Sequence, residues 1–226
     1  MSVRLERTEY ISPSINPVLE NHLQAALRCD HPRLWLFLLR NLAKGKPVTR
    51  MSIAVALGMS PCDVQAALTA FTDIEYDDEG SIVASGLSLI PTPHCFRVNG
   101  RDLFAWCALD ALMYPVALRQ TAQVESRCPV TGFAVRLTVT PTGVTFLTPA
   151  GAVVSIVIPA AQAGCCAVRN TFCRQVHFIK SPQAADAWRS IHPEATILSV
   201  EEAWRLGRAV AQRRLADEQS LRASIG

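Results

Sequence analysis

From residue 91 to residue 159 the chain is cut into short stretches by turn-forming residues at close intervals. Asn99-Gly100 and the Pro/Gly turns at 129–132, 141–143 and 149–151 punctuate CFRV, LFA, TAQVESRC, FAVRLTVT, GVTFL and AVVSIVIP. Asn-Gly between two apolar runs is a strong hairpin signal. The in-out alternation of residues 134–139 (AVRLTV) predicts a half-exposed antiparallel strand. A helical stretch, residues 106–118, interrupts this pattern, with Pro115 late in it as a kink or terminus. Residues 172–179 (FCRQVHFI) read as a further strand, and helices near 182–190 and 200–216 close the chain.

Upstream of this region the periodicity is helical. NPVLENHLQAAL, LWLFLLRNLAKG with Gly45 as a stop, TRMSIAVALGM and SPCDVQAALTAF predict helices. Thr49 and Ser60 are predicted N-caps, and Pro61 stands at the favoured first helical position. The last two helices, joined through Gly58, form a helix-turn-helix, and residues 74–76 and 81–84 flank Asp77-Asp78-Glu79-Gly80 as strand, turn and strand. The expected fold class is α+β: a helical, winged-helix-like module over residues 1–90, then a domain of antiparallel strands with packed helices over 91–226.

A winged helix that reads DNA needs a basic surface. Residues 60–80 carry six acids (Asp63, Asp73, Glu75, Asp77, Asp78, Glu79) and no Lys or Arg, so the module is expected to be structural, with no nucleic-acid partner. Lys44, Lys46 and Arg50 form a small basic cluster that fits a solvated face, and a net charge of +3 implies no polyanion. The longest apolar run, residues 151–161, is too short to span a bilayer, and the N-terminal MSVRLERTEYISPS has no apolar signal region. A cytoplasmic protein without a membrane partner is expected.

The eight cysteines are Cys29, Cys62, Cys95, Cys107, Cys128, Cys165, Cys166 and Cys173. Without a secretory signal they are expected to be reduced thiols. The chain holds no CxxC pair, which argues against a structural zinc site. Cys29, Cys62 and Cys95 lie in patterns that suit small buried residues, and the vicinal Cys165-Cys166 reads as part of a turn. The pair with chemical potential is Cys107 and Asp110 in LFAWCALD, a thiol and a carboxyl on one face at the entry of a helix. The unpaired N–H groups of a helix N-terminus favour a thiolate there. By spacing alone, Cys107 also fits an ordinary core position.

LFAWCALDALMYP, SRCPVTG and TFCRQVHF, with RNLAKGKPVTR and IEYDDEG before them, together resemble the alkylmercury lyases, also called organomercurial lyases. The resemblance implies that Cys107 and Cys173 bind mercury, that Asp110 is the catalytic acid, and that Cys128 is structural. Some family members carry another cysteine directly after the second mercury ligand, where this chain has Arg174. It also implies that exogenous low-molecular-weight thiols strip the mercuric product and that a mercuric reductase receives it. No organic cofactor is expected, because the sequence has no phosphate-binding Gly-rich loop or dinucleotide fingerprint.

The chemistry explains the residue types. Breaking a carbon–mercury bond by protonolysis needs electron density on the metal and a proton at the carbon. Thiolates are soft ligands for a soft metal, so two cysteines supply the first, and a carboxyl whose pKa is raised by burial and nearby negative charge supplies the second. Trp106, Phe104, Tyr114 and Phe172 are placed either to line an apolar pocket or to fill the core, and His177 reads as a core or surface histidine, with a ligand role as the alternative. The alternatives are a winged-helix regulator that senses a soft metal, which the acidic 60–80 segment opposes, and a soft-metal carrier in which Asp110 has no task.

Overall fold

The computed structural model describes residues 17–71, 73–157 and 172–223. Four helices come first: α1 (Pro17–Ala26), α2 (Pro32–Leu42), α3 (Arg50–Leu57) and α4 (Pro61–Ala70). Helix α2 places Leu34, Trp35, Leu38, Leu39 and Leu42 in the core. It ends at Leu42, and Gly45 lies just beyond with φ +71°. Thr49 caps α3 by accepting from the Ser52 N–H at 3.1 Å, and Ser60 caps α4 by accepting from that of Asp63 at 3.1 Å. Gly58 closes α3 in the left-handed conformation, φ +64°. The exposed face of α4 presents Asp63, Gln65 and Thr69 and no cation.

Strands β1 (Glu75–Tyr76) and β2 (Ile82–Ser85) pair antiparallel around the predicted acidic turn, where the Asp77 carboxylate accepts the Glu79 and Ser81 N–H groups at 3.1 and 2.7 Å. This wing is not a free-standing hairpin. Strand β2 pairs with β3 (Leu87–Ser88), and β3 pairs with β5 (Arg101–Ala105), so the wing continues into the large sheet. With β4 (His94–Val98), β6 (Ala122–Arg127), β7 (Ala134–Thr140) and β8 (Gly143–Thr148) the antiparallel order is β1-β2-β3-β5-β4-β6-β7-β8. Asn99 and Gly100, at φ +51° and +70°, make the tight turn between β4 and β5.

A second, three-stranded sheet has β9 (Val153–Ile156) in the middle, β10 (His177–Ile179) on one side and β11 (Thr196–Ser199) on the other. Strand β10 is shorter than the strand expected over 172–179: Cys173–Gln175 is a single 3-10 turn, and pairing with β9 starts at His177. The helices that close the chain are α6 (Pro182–Ile191) and α7 (Val200–Ala223), the latter a full two turns longer than its expected end. Strand β11 between them escaped the sequence reading because only its two middle residues, Ile197 and Leu198, are apolar, both are only partly buried, and the ends are exposed, so it forms no alternating or buried run. Among the described residues, no single helix is long and apolar enough to cross a membrane.

Helix α5 (Ala108–Leu118) is the hub of the fold. Residues 108–117 are all buried, and α5 packs against α7, α2, β10 and the strands β4 to β7. The α5–α7 approach is close because Gly207 has no side chain: a Cβ there would lie 3.4 Å from the Met113 backbone nitrogen and from Leu109 Cδ1. Pro115 sits inside α5, one turn before Arg119 ends it in the left-handed region at φ +56°.

Candidate active site

Strand β5 runs directly into the N-terminus of α5. The Trp106 N–H donates to the Gly86 carbonyl at 2.9 Å, which fixes the chain one residue before the helix cap. Cys107 then occupies the N-cap in extended conformation (φ −149°, ψ 172°), and its Sγ accepts the Asp110 N–H at 3.4 Å. The same sulfur lies 3.2 Å from Asp110 Oδ2, so thiol and carboxyl are partners through both backbone and side chain.

Cys173 arrives from the opposite side. The Ala108 N–H donates to the Val176 carbonyl at 3.1 Å, tying the start of α5 to the 3-10 turn. Ser155 on β9, fully buried, donates to the Gln175 carbonyl at 3.1 Å and accepts the His177 N–H at 3.3 Å. His177 Nε2 bonds the Arg174 carbonyl at 2.7 Å, and its ring packs edge-on to Trp188 at 5.1 Å. His177 therefore braces the turn. Held in this way, Cys173 Sγ lies 3.9 Å from Asp110 Oδ2.

The two sulfurs and one carboxylate oxygen all fall within 4.8 Å of one another, and among the described residues this is the only such group of three able to hold a metal ion. All three side chains are buried; Asp110 is the most exposed, at 9%. Asp110 and Cys173 face a cavity of about 320 Å³ whose apolar wall includes Trp106, Met113, Tyr114 and Phe172. Cys107 is 0% exposed and does not line it. Phe104 is likewise absent from the wall. It lies on the other face of β5 from Leu103 and Ala105, only partly buried, across from Cys95.

Burial sets the protonation of the site. It pushes the Asp110 carboxyl up to about 6, against hydrogen bonds from Cys107 and Tyr114 and the positive charge of Arg214, which pull it down. Cys107 departs from the sequence expectation. Its position at a helix N-terminus favours a thiolate, yet complete burial, its hydrogen bond with Cys173 and the adjacent Asp110 charge hold the thiol well above its ordinary value. The resting pair is thus a neutral Cys107 thiol donating to an Asp110 carboxyl.

The remaining cysteines divide. Cys62 and Cys95 are exposed, not buried as expected, because Cys62 sits in the solvent-facing first turn of α4 and Cys95 points outward from β4. Cys29 is half-buried on the cavity wall, beside Arg214. Cys128 is buried in a small satellite core with Ile179 and Trp188. Cys165 and Cys166 lie outside the described residues. Sequence reasoning missed Gly86, Ser155 and Arg214, none of which carries a spacing signal; each matters through a contact made across the fold.

Residues 87–212 match the alkylmercury lyase family, and residues 18–86 match the helix-turn-helix domain of alkylmercury lyase. The chain is 48% identical to an alkylmercury lyase of Streptomyces lividans over 84% of its own length and 86% of the relative's. It is 42% identical to that of Pseudomonas putida, over 84% and 90% of the two chains. The crystal structure of the mercury-bound form of MerB2 superposes with a TM-score of 0.71 at 27% identity, covering 87% of this chain and 98% of that one.

Proposed function

The chain belongs to the alkylmercury lyase family, and on that premise we propose that Cys107, Cys173 and Asp110 carry out protonolysis of the carbon–mercury bond in this protein. The observation that supports this assignment is the convergence of two buried sulfurs and one carboxylate oxygen within 4.8 Å at the wall of an apolar cavity.

Cys173, which faces the cavity, meets the organomercurial first. Its sulfur replaces the thiol or other ligand on the substrate, and that ligand leaves with the Cys173 proton. Asp110, ionised above about pH 6, takes the proton of Cys107 across 3.2 Å. The Cys107 thiolate so formed adds to mercury as a second soft ligand and pushes charge toward the carbon. Asp110 then delivers the same proton to that carbon. The hydrocarbon leaves, mercury(II) stays bound between two thiolates, and Asp110 is again a carboxylate. The balance of atoms and electrons needs no organic cofactor.

Low-molecular-weight thiols returning two protons to Cys107 and Cys173 would carry the mercury away, toward a mercuric reductase, in a reducing compartment such as the cytoplasm. Arg174, exposed beside Cys173, offers no additional thiol for that step. The test is to mix the purified protein with phenylmercury and excess thiol and to follow benzene by gas chromatography. Catalytic release above the protein-free control is expected; its absence sinks the assignment.

A further inference from the structure

We propose that Tyr114 is a positioning residue for this reaction: its hydroxyl, admitted by the bare backbone of Gly86, holds the Asp110 carboxyl with Oδ2 turned toward both thiols. The proposal rests on the reading of Asp110 as the proton carrier.

Helix α5 reads ALDALMYPVAL, and its polar side chains are Asp110 and Tyr114, one turn apart on one face. Tyr114 is only 2% exposed. A hydroxyl buried that far needs a partner, and the Asp110 carboxyl, one turn earlier on the same helix face and on the wall of the same cavity, is the acceptor beside it. Burial and the Asp110 charge push the phenol well above its ordinary value, so it stays protonated and remains a donor.

The hydroxyl has a made-to-measure seat. A Cβ built on Gly86 would stand 1.7 Å from the Tyr114 oxygen and 3.0 Å from Cζ, so the hydroxyl occupies the space that any other residue's side chain would fill. Gly86 also has φ +76°, a conformation that disfavours a side chain. The carbonyl of this same residue receives the Trp106 N–H just before the Cys107 cap. One backbone segment therefore seats the phenol and locates the thiol.

A carboxyl has one free torsion at its end, broad and two-fold in preference. The thiol contacts at 3.2 and 3.9 Å use the same oxygen, Oδ2. Charge-assisted hydrogen bonds are the strong, orienting ones, so a phenol donor gives the carboxyl a fixed third point. Without it the carboxyl is free to turn away from Cys173, where the carbon to be protonated would sit.

The experiment compares wild type, Tyr114→Phe, Gly86→Ala, Asp110→Asn and the Asp110→Asn/Tyr114→Phe double variant, using phenylmercury with excess thiol. Tyr114→Phe is expected to lower kcat about tenfold or more, the loss of one oriented hydrogen bond in the transition state, while KM stays within about twofold. Gly86→Ala, which displaces the hydroxyl without removing it, is expected to lower kcat as well. In the Asp110→Asn background, Tyr114→Phe is expected to have no further effect on the residual rate.

A wild-type kcat in either single variant, or the same fold-loss from Tyr114→Phe in both backgrounds, overturns the proposal, since a packing role alone does not depend on the carboxyl. Asp110→Asn at full rate would instead overturn the proton-carrier reading itself, so the two failures are told apart.

Discussion

Cys107 caps the helix that carries Asp110 and also touches its carboxyl: one sulfur accepts the Asp110 N–H at 3.4 Å and lies 3.2 Å from Oδ2. A thiol at an N-cap is an uncommon choice, since Ser, Thr, Asp and Asn fill that position better. Here the cap brings the Cys107 sulfur onto the residue three places on. The local geometry of a helix start thereby brings thiol and carboxyl together without any distant segment.

Cys107 and Cys173 should fail in different ways. Cys173 faces the cavity and Cys107 lies behind it, so Cys107→Ser is expected to retain one equivalent of phenylmercury after gel filtration but release no benzene above background. Cys173→Ser should lose capture as well as turnover. Mercury retained equally by both variants would contradict this order of engagement.

Turnover should fall as the pH drops through about 6. Burial raises the Asp110 carboxyl from 3.8 to about 6, so the carboxylate to which the proposed mechanism assigns the Cys107 proton predominates only above that value. Initial rates of benzene release between about pH 4.5 and 8 measure the limb. A flat profile through pH 6 would show that the reaction does not begin from an ionised Asp110.

The same shift predicts a stability cost. A carboxyl whose folded pKa is raised is stabilising in its protonated form; that contribution is complete below pH 3.8 and is lost as the pH rises through about 6. The ionised, buried Asp110 thus costs roughly 3 kcal/mol at neutral pH, taken from the shift at 1.36 kcal/mol per unit. Asp110→Asn is expected to melt higher than wild type at pH 7.5, with the gap closing toward pH 4. Thermal unfolding followed by circular dichroism at the two pH values decides it, and a variant that melts lower at pH 7.5 counts against the buried charge.

Gly207→Val should loosen the site from a distance. Even a Cβ at position 207 meets Met113 and Leu109 of α5 at 3.4 Å, and two further methyls would push α5 away from α7. Overpacking of this kind costs about 1–3 kcal/mol. A lowered Tm with reduced turnover is the expected result, whereas Gly207→Ala should be nearly neutral. Wild-type stability in the valine variant would show that the helices part easily.

The sequence carried the architecture a long way. Asn99-Gly100 and the alternation of residues 134–139 announced hairpins that the structure contains, and Thr49, Ser60 and Gly58 were legible as helix ends. Its failures have a common cause. Cys173 was read as a strand residue because alternation in FCRQVHFI has the period of a strand, but pairing with β9 begins only at His177 and the preceding residues turn to meet α5. Cys95 was read as buried from its apolar neighbours, whereas the pleat of β4 points it outward.

Within this chain, the sequence by itself determined the pair Cys107 and Asp110, because three residues at a helix start span less than one turn and local backbone geometry brings them together. The family resemblance named Cys173, 63 residues beyond Asp110, but local sequence geometry does not bring it there; only the tertiary structure does, since Ser155, His177 and the bond from Ala108 to Val176 hold its turn beside the pair. Tertiary structure also decided protonation. A helix N-terminus alone favours a thiolate at Cys107, but the closed packing around α5 removes water from both groups and favours the protonated thiol, 3.2 Å from the Asp110 carboxyl.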